Sequence, residues 1–169
     1  ETFAGKTLKP SDYDEVKIDT EDFGMAMLHL GDTCRGAFTV SQVSAGCKNR
    51  FEWMVCGTKG SVAWNQERPD ELWIGRRNEP NQIIIKDGSL FYPEAAAYAD
   101  YPGGHSEGYD DSHKQLFKRF WSRVLDPSLP IQYPTFADGL RGMQLLEAVM
   151  ESNRKRTWVK CAPARTGRK

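Results

Sequence analysis

Residues 50–64, with the sequence RFEWMVCGTKGSVAW, decide the fold of this chain. Two runs rich in aromatic and β-branched residues flank the tetrapeptide GTKG. Gly57 and Gly60 can adopt the left-handed backbone conformations that tight turns use and that bulkier residues avoid. The stretch therefore predicts a β-hairpin, with the GTKG turn joining two antiparallel strands.

Further short runs with strand-like alternation extend on both sides of this hairpin. The predicted strands are residues 15–19, 23–30, 35–43, 49–56, 61–65, 72–76, 82–86 and, near the end, 157–161. Turn residues separate most of them and no helical period intervenes before residue 87. This spacing favours an antiparallel meander over a parallel sheet, which would need a helix between successive strands.

Two segments in the second half have helical periodicity. The first begins near residues 110–112, which are all good N-caps, and ends before Pro127. The second opens at Thr135, with Asp138 three positions later as a shortened form of a capping box. We therefore expect an α+β fold, an open, predominantly antiparallel sheet of six or more strands with two or three helices on one face.

The face of such a sheet that the helices leave open would expose apolar side chains to water. Trp53, Trp64 and Trp73 all fall in predicted strands, and aliphatic residues alternate with them. Large exposed apolar patches usually mark an interface, so we expect a homo-oligomer that forms through the open sheet face. The alternative is that further protein covers this face.

Charge and composition narrow the class of partner. The chain has 23 basic and 23 acidic residues, so its net charge argues against nucleic acid, which favours an excess of Lys and Arg. No run approaches the roughly 20 apolar residues of a membrane helix. The four cysteines lack C-x-x-C spacing, which favours a reducing compartment over a zinc site or a disulfide scaffold. We expect a cytoplasmic protein that binds neither nucleic acid nor membrane.

The loop before the first helix concentrates ionisable side chains, namely His105, Glu107, Tyr109, Asp110, Asp111 and His113. An imidazole on a Gly-Gly loop can approach a ligand closely and can exchange a proton near neutral pH. For His105 a ligand-facing role and an ordinary loop role both stay open. We expect Asp110 and Asp111 to cap the helix and to compensate its dipole. We expect His113 to lie at the surface. A metal held by His105, Glu107 and Asp110 is a weaker alternative, because metal ligands must converge more closely.

Residues 46–50, GCKNR, are the second candidate. Lys48, Asn49 and Arg50 offer hydrogen-bond donors that suit hydroxyl-rich or anionic small molecules, although an ordinary polar turn is the alternative. No Ser/His/Asp or Cys/His arrangement is evident, and no two carboxylates lie in contrasting environments. The sequence therefore predicts no catalytic residue and no metal site.

A dinucleotide-binding signature is also absent. Nowhere does a strand lead through G-x-G-x-x-G into a helix, and the chain begins at Glu1 without an initiator Met. We interpret the chain as the second domain of an enzyme whose nucleotide-binding domain is not part of it, and we expect this chain itself to bind no cofactor.

Three longer stretches are specific in combination. They are AGCKNRFEWMVCGTKGSVAWNQERPDELWIG, YADYPGGHSEGYDDSHKQLFKRFW and PTFADGLRGMQLLEAVMESNRKRTWV. They contain a G-x-x-G-S hairpin with Trp, a P-G-G-H-x-E-G loop before a helix, and an F-x-D-G helix followed by W-V. From about Val16 to Val159 the chain resembles the C-terminal domain of the Gfo/Idh/MocA oxidoreductases, the family that includes glucose–fructose oxidoreductase and inositol dehydrogenase.

The resemblance implies an enzyme that joins a Rossmann domain, which binds NAD or NADP, to an α/β domain with an open antiparallel sheet. Residues 1–161 would be the C-terminal domain and residues 162–169 a basic tail. The family's cofactor glycines, its E-K-P lysine, and its Asp and His near the start of the second domain have no counterparts in this chain. What carries over is the substrate side of the site.

Those substrate-side residues are Lys48, Asn49 and Arg50 in the family's G-x-K-N-R loop and His105 in its G-H-x-E-G loop. Cys47 stands where Arg is common. We therefore expect the substrate-binding and oligomerisation domain of an NAD(P)-dependent sugar or polyol dehydrogenase, inactive by itself. The alternative is a stand-alone module for sheet-mediated dimerisation or small-ligand binding, without enzymic activity.

Overall fold

The structure, a computed structural model, describes Ser11, Asp14 and residues 16–161. The chain divides into two compact units between Gly46 and Cys47. None of the helices in the described part is long and apolar enough to cross a bilayer.

The first unit contains a β-hairpin. Its strands β1 (Phe23–Leu30) and β2 (Cys34–Ser41) are antiparallel. Gly31, with φ +66°, makes the turn between them in a conformation that favours glycine. Half-buried and exposed residues alternate along most of β1, as the strand period predicts.

The second unit contains a four-stranded antiparallel meander, in which each strand pairs with the next along the chain. Its strands are β3 (Glu52–Cys56), β4 (Gly60–Asn65), β5 (Glu71–Arg76) and β6 (Gln82–Ile85). The predicted hairpin at GTKG is confirmed, because β3 and β4 pair from Glu52 opposite Asn65 to Cys56 opposite Ser61.

The turn of this hairpin uses its glycines differently from the prediction. Gly57 N–H donates to Gly60 O at 2.8 Å. The predicted left-handed conformation of Gly57 and Gly60 is wrong, because the glycines with positive φ in the described part are Gly31, Gly46 and Gly104. Gly60 meets a packing requirement, since a Cβ there would lie 2.8 Å from the carbonyl oxygen of Gly75 on the neighbouring strand.

Helices follow the meander. A 3-10 turn (Gly88–Leu90) precedes the short helix α1 (Pro93–Ala96), and the longer helices are α2 (Tyr109–Leu125) and α3 (Phe136–Lys155). Thr135 Oγ1 accepts from the Asp138 N–H at 3.4 Å, and Asp138 Oδ2 accepts from the Thr135 N–H at 2.8 Å. The predicted capping box, which has the shorter Asp in place of Glu, therefore makes both of the hydrogen bonds that define the motif.

The prediction of one sheet with six or more strands is wrong, because the described residues form a two-stranded and a four-stranded sheet. Residues 16–19 of the predicted first strand are irregular, and residue 15 lies outside the described residues. Residues 157–161 are irregular as well. There Thr157 stays bonded to the end of α3, since Ser152 Oγ donates to Thr157 O at 2.6 Å. Alternation marks strand-like segments, but a strand also needs a neighbour to supply its hydrogen bonds.

The register of the meander divides its side chains between two faces. One row across the four strands consists of Trp53, Trp64, Leu72 and Ile84, and the adjacent row on the opposite face consists of Met54, Ala63, Trp73 and Ile83. We name these the Trp64 face and the Trp73 face. Trp64 and Gln115 of α2 line the same cavity, so α2 lies on the Trp64 face. Among the described residues no apolar side chain is fully buried.

Candidate functional site

The loop of residues 100–107 carries His105 and leads into α2. We call it the His105 loop. Its middle turns at Gly104, which has φ +82°, and the His105 N–H donates to the Pro102 carbonyl at 3.3 Å. His105 is exposed. The loop therefore presents its imidazole to the outside, where a ligand could reach it.

Glu107 closes this loop with a buried carboxylate. Its side chain is 7% exposed, and its Oε2 lies 2.5 Å from the Nζ of Lys86, whose side chain is 13% exposed. Its Oε1 accepts from the Asp100 N–H at 2.9 Å. Burial alone would raise the pKa of Glu107, but the hydrogen bonds from Lys86 and from the backbone of Asp100 and Tyr101 outweigh it and lower the pKa. Glu107 is therefore ionised at neutral pH.

A more exposed network continues from this pair along α2. Asp100 accepts from Lys114 and from Lys118, each at 3.1 Å, and Lys114 also lies 2.7 Å from Asp111. These bonds, first from Lys114 and then from Lys118, lower the pKa of Asp100. The bond to Asp111 is the main cause that raises the pKa of Lys114. The network keeps its carboxylates ionised and fastens the start of the His105 loop to α2.

The other ionisable residues around the start of α2 have structural contacts. Asp111 Oδ2 accepts from the Gly108 N–H at 2.9 Å, which confirms capping for Asp111. The predicted N-cap among residues 110–112 is wrong, because the N-cap is Gly108 and Asp111 is the third residue of the helix. His113 is exposed and its Nδ1 lies 3.0 Å from the carbonyl of Tyr109. Within the described part of the chain, no group of three or more His, Cys, Asp or Glu side chains could hold a metal ion. Glu107, a member of the conceivable metal set, is instead bonded to Lys86.

The loop of residues 47–50, which we call the basic loop, exposes Lys48, Asn49 and Arg50. The Asn49 carbonyl accepts from Gln66 Nε2 at 3.2 Å. Arg50 Nη2 lies 2.5 Å from Glu52 Oε1, and the two side chains are 49% and 48% exposed. Hydrogen bonds to Glu52 first and Cys47 second raise the pKa of Arg50. Part of the donor capacity of Arg50 is thus already directed at Glu52.

A cavity of about 520 Å³ lies between the turn from β4 to β5, the short helix α1 and helix α2. Residues lining it include Trp64, Asp70, Lys86, Tyr98, Gln115 and Arg119. Gln115 is 8% exposed, and its Nε2 donates to Tyr98 O and to Asp100 Oδ2, each at 3.1 Å. His105 and the three side chains of the basic loop are not among the lining residues.

The four residues named from the sequence thus lie on two loops of one unit. No hydrogen bond or ion pair between the described side chains joins His105 to Lys48, Asn49 or Arg50. The sequence reasoning missed Lys86 and Asp70, which hold the His105 loop. Lys86 is the last residue of the predicted strand 82–86 and Asp70 lies between two predicted strands, and no local pattern links either residue to Glu107.

Residues 3–161 match the family described as "Oxidoreductase family, C-terminal alpha/beta domain". Among solved structures, an oxidoreductase from Sinorhizobium meliloti is 29% identical with a TM-score of 0.73, and the match covers 82% of this chain and 40% of that one.

Two further relatives have more specific names. An inositol dehydrogenase homolog from Azotobacter vinelandii, solved with NAD+, is 24% identical with a TM-score of 0.75, over 83% of this chain and 38% of that one. Another structure of an inositol dehydrogenase homolog from that organism contains NADH and myo-inositol. A levoglucosan dehydrogenase from Pseudarthrobacter phenanthrenivorans is 24% identical over 84% of this chain and 36% of its own length. A levoglucosan dehydrogenase solved with NADH and levoglucosan has a TM-score of 0.75 at 22% identity, over 86% of this chain and 39% of that one.

The chain therefore spans 36% to 40% of the length of these relatives. The structural matches show that they share its α+β fold with antiparallel sheets. Because the family match runs through both units and nearly the whole sequence, the chain belongs to the Gfo/Idh/MocA oxidoreductases, as their C-terminal alpha/beta domain.

Proposed function

We propose that this chain is the substrate-binding and oligomerisation domain of an NAD(P)-dependent sugar or polyol dehydrogenase, with residues 1–161 as the C-terminal domain and residues 162–169 as a basic tail. The family match over residues 3–161 carries the proposal. The relatives solved with myo-inositol and with levoglucosan support a hydroxyl-rich substrate. The exposed donors of the basic loop and the imidazole of His105 have the chemistry to bind hydroxyl groups.

The absence of a cofactor from this chain is part of the proposal. The strand pairs of the described residues are all antiparallel, whereas the dinucleotide-binding unit that seats a pyrophosphate on a helix N-terminus joins two parallel strands. NAD or NADP would be bound elsewhere in the complete protein. Within the active site we assign to this chain only substrate contacts and the exclusion of water around the polyol.

A titration tests whether the cofactor is bound outside this chain. Calorimetry of this chain with NAD and with NADP should show no binding, and the chain alone should oxidise no sugar. A dissociation constant in the micromolar range would contradict the assignment, because it would require a nucleotide site within these residues.

His105 is the residue that we expect to contact the substrate most directly. In the complete protein encoded by the gene that contains this chain, His105→Ala should raise KM for the polyol and leave kcat nearly unchanged, the pattern of lost uniform binding. One hydrogen bond corresponds to about 0.5–1.5 kcal/mol, or about two- to tenfold in kcat/KM. His113→Ala is the matched control, because His113 is also exposed but bonds to Tyr109 of its own helix.

Kinetics with a panel of sugars and polyols give the decisive outcomes. If the complete protein oxidises or reduces none of them with NAD(H) or NADP(H), the proposed function is wrong. If His105→Ala lowers kcat by several orders of magnitude, His105 is the acid or base and the binding assignment is wrong.

The oligomerisation part of the proposal rests on the Trp73 face, which lies opposite α2. Met54, Ile83 and Ile85 on that face are 59%, 58% and 52% exposed. Association of two copies through it would remove this apolar area from water. Ile83→Lys should therefore dissociate the oligomer in sedimentation experiments. Ile84→Lys, one residue along β6 but on the Trp64 face, is the control and should leave the oligomer intact.

We also propose a cytoplasmic location. All four cysteines, Cys34, Cys47, Cys56 and Cys161, are free in the structure, which suits a reducing compartment. Fractionation of the source cells with an antibody against the chain would test it, and recovery outside the cytoplasm would contradict it.

A further inference from the structure

The His105 loop has little internal structure to fix its shape. Gly103 and Gly104 precede His105, and the hydrogen bond from the His105 N–H to Pro102 is a long one at 3.3 Å. Glycine allows many backbone conformations, so such a loop needs contacts from outside if it is to keep one. The position of the His105 imidazole therefore depends on whatever holds the two ends of the loop.

Lys86, the residue after β6, bonds to both ends of the loop. Its Nζ donates to the Tyr101 carbonyl at 3.1 Å and to Glu107 Oε2 at 2.5 Å. Glu107 adds a link across the loop, because its Oε1 accepts from the Asp100 N–H at 2.9 Å. The ammonium group of Lys86 and the carboxylate of Glu107 thus link the two ends of the loop, at Asp100 and Tyr101 and at Glu107.

Asp70 attaches the same assembly to the turn before β5. Its Oδ1 accepts from the Glu107 N–H at 3.1 Å, and its carbonyl accepts from the Lys86 N–H at 2.7 Å. The side chains of Lys86 and Glu107 are 13% and 7% exposed, so water screens their attraction only weakly. The loop is therefore tied to the start of β5 through Asp70 and to the end of β6 through the largely buried pair of Lys86 and Glu107.

We infer that Lys86 and Glu107 are positioning residues for His105, which hold its loop in the conformation that binds a substrate hydroxyl. The inference rests on the proposed function, because it assumes that His105 contacts the polyol. Neither side chain need touch the substrate, since both act through the loop. This distinguishes them from the Arg50–Glu52 pair, in which Arg50 itself is a candidate ligand residue.

A purely structural role would have different consequences. If the pair only stabilised the fold, its loss would reduce the amount of folded protein and leave KM of that folded protein unchanged. If it positions His105, its loss should raise KM through His105 alone. The two roles therefore separate in a variant that lacks both Glu107 and His105.

The experiment uses Glu107→Gln in the complete protein, with Glu151→Gln as the matched control. Glu151 also lies 2.5 Å from a lysine, Lys155, but that pair is on the exposed surface of α3. Hydrogen exchange of the loop amides should accelerate about tenfold or more in Glu107→Gln and remain unchanged in Glu151→Gln. KM for the polyol should rise about two- to tenfold in Glu107→Gln, with kcat nearly unchanged.

The double variant provides the readout that a structural role would not change. KM of His105→Ala/Glu107→Gln should equal that of His105→Ala within about a factor of two, because the second substitution acts through a side chain that is already gone. Glu107→Asp, which keeps the charge but is one methylene shorter, should show smaller effects in the same direction. It replaces Glu107→Gln if that variant does not fold.

Each result decides one part. Unchanged exchange in the loop overturns the positioning role, even if His105→Ala raises KM. A rise in KM from Glu107→Gln that persists in the His105→Ala background overturns it as well. If His105→Ala leaves KM unchanged, the proposed role of His105 fails, and the positioning role fails with it. The exchange data still report separately whether the contacts of Glu107, including its pair with Lys86, order the loop.

Discussion

The two loops that carry the candidate substrate residues are held by ion pairs with the same separation and different burial. Lys86–Glu107 and Arg50–Glu52 both have nitrogen–oxygen distances of 2.5 Å. The side chains of the first pair are 13% and 7% exposed, and those of the second are 49% and 48% exposed. Distance alone therefore does not rank the two pairs. In the buried pair a lost partner leaves a charge without water, whereas in the exposed pair water replaces the partner.

The largest expected effect comes from removing one partner of the buried pair. Lys86→Met leaves the buried carboxylate of Glu107 with only the longer ion-pair contact from Lys114, whose Nζ lies 3.8 Å from Oε1. Breaking such a pair costs about 3 kcal/mol of unfolding free energy. Arg50→Met removes the cation of the exposed pair in the same way and should cost less than about 0.5 kcal/mol. Urea unfolding of both variants, followed by tryptophan fluorescence, measures the two values. Equal losses of unfolding free energy in the two variants would mean that the burial of an ion pair does not determine how strongly it stabilises its loop.

The second prediction uses pH to remove the same charge. The pKa of Glu107 in the folded chain lies below its ordinary value, because hydrogen bonds from Lys86 and from the Asp100 and Tyr101 backbone outweigh its desolvation. A group with a lowered folded pKa stabilises the fold above its unfolded pKa, and this contribution is lost as pH falls through the folded pKa. The stability difference between the wild type and Glu107→Gln should therefore narrow below about pH 4.

A pH series of urea unfolding from neutral pH downward measures this difference. The carboxylates of Asp87, Asp100 and Asp111 also have lowered pKa values, but they titrate in both proteins and largely cancel in the difference. A difference that stays constant down to the lowest pH at which the wild type folds would show that the charge of Glu107 contributes nothing.

The same contrast explains what could be predicted from the sequence. The hairpin around GTKG and the capping residues Thr135 and Asp138 depend on neighbours within a few positions, so their local patterns indicated them. The contacts that hold the His105 loop join residues 21 and 37 positions apart, Lys86 and Asp70 with Glu107. Nothing in the local sequence around these three residues encodes that pairing, which arises only when β5, β6 and the loop come together.

The sheet shows the same limit. Alternation correctly located the six strands that the described residues form, to within a few residues at each end, but it does not state which strands pair. It therefore predicted one large sheet where that part of the chain has two. Residues 157–161 alternate as well, yet their first residue is bonded to α3. Periodicity indicates which face of a strand a residue would occupy. Which strands pair depends on segments that are distant in the sequence.

The third prediction tests how firmly each loop is held. Gly104 has φ +82° and Gly46, just before the basic loop, has φ +86°, and a Cβ would meet no atom within 4 Å at either position. Ala adds only backbone strain there, about 1 kcal/mol where the surroundings fix the conformation. Gly104→Ala should cost that amount, and Gly46→Ala less than half of it, because the exposed basic loop can relax.

Gly139→Ala is the control for the chemistry of this substitution. Gly139 lies inside α3 with no atom within 4 Å of a Cβ, so Ala should stabilise the fold there by about 0.5–1 kcal/mol. Urea unfolding of the three variants gives the comparison. If Gly46→Ala costs as much as Gly104→Ala, the basic loop is as constrained as the His105 loop, and the contrast drawn from their ion pairs fails.

The smallest expected effect is that of Glu52→Gln, which should reduce the unfolding free energy by less than about 0.5 kcal/mol. Glutamine keeps an oxygen that can accept from Asn65 Nδ2, which lies 3.4 Å from Glu52 Oε2, so the substitution removes mainly the charge. Salt separates this pair from the buried one. In about 1 M NaCl the screening length falls to about 3 Å, and the small loss in Glu52→Gln should disappear. The loss in Glu107→Gln should persist, because the side chains of Lys86 and Glu107 are largely shielded from solvent, at 13% and 7% exposure. Unfolding of both variants at low and high salt measures this, and a Glu107→Gln loss that also vanishes in salt would place its charge pair in contact with water.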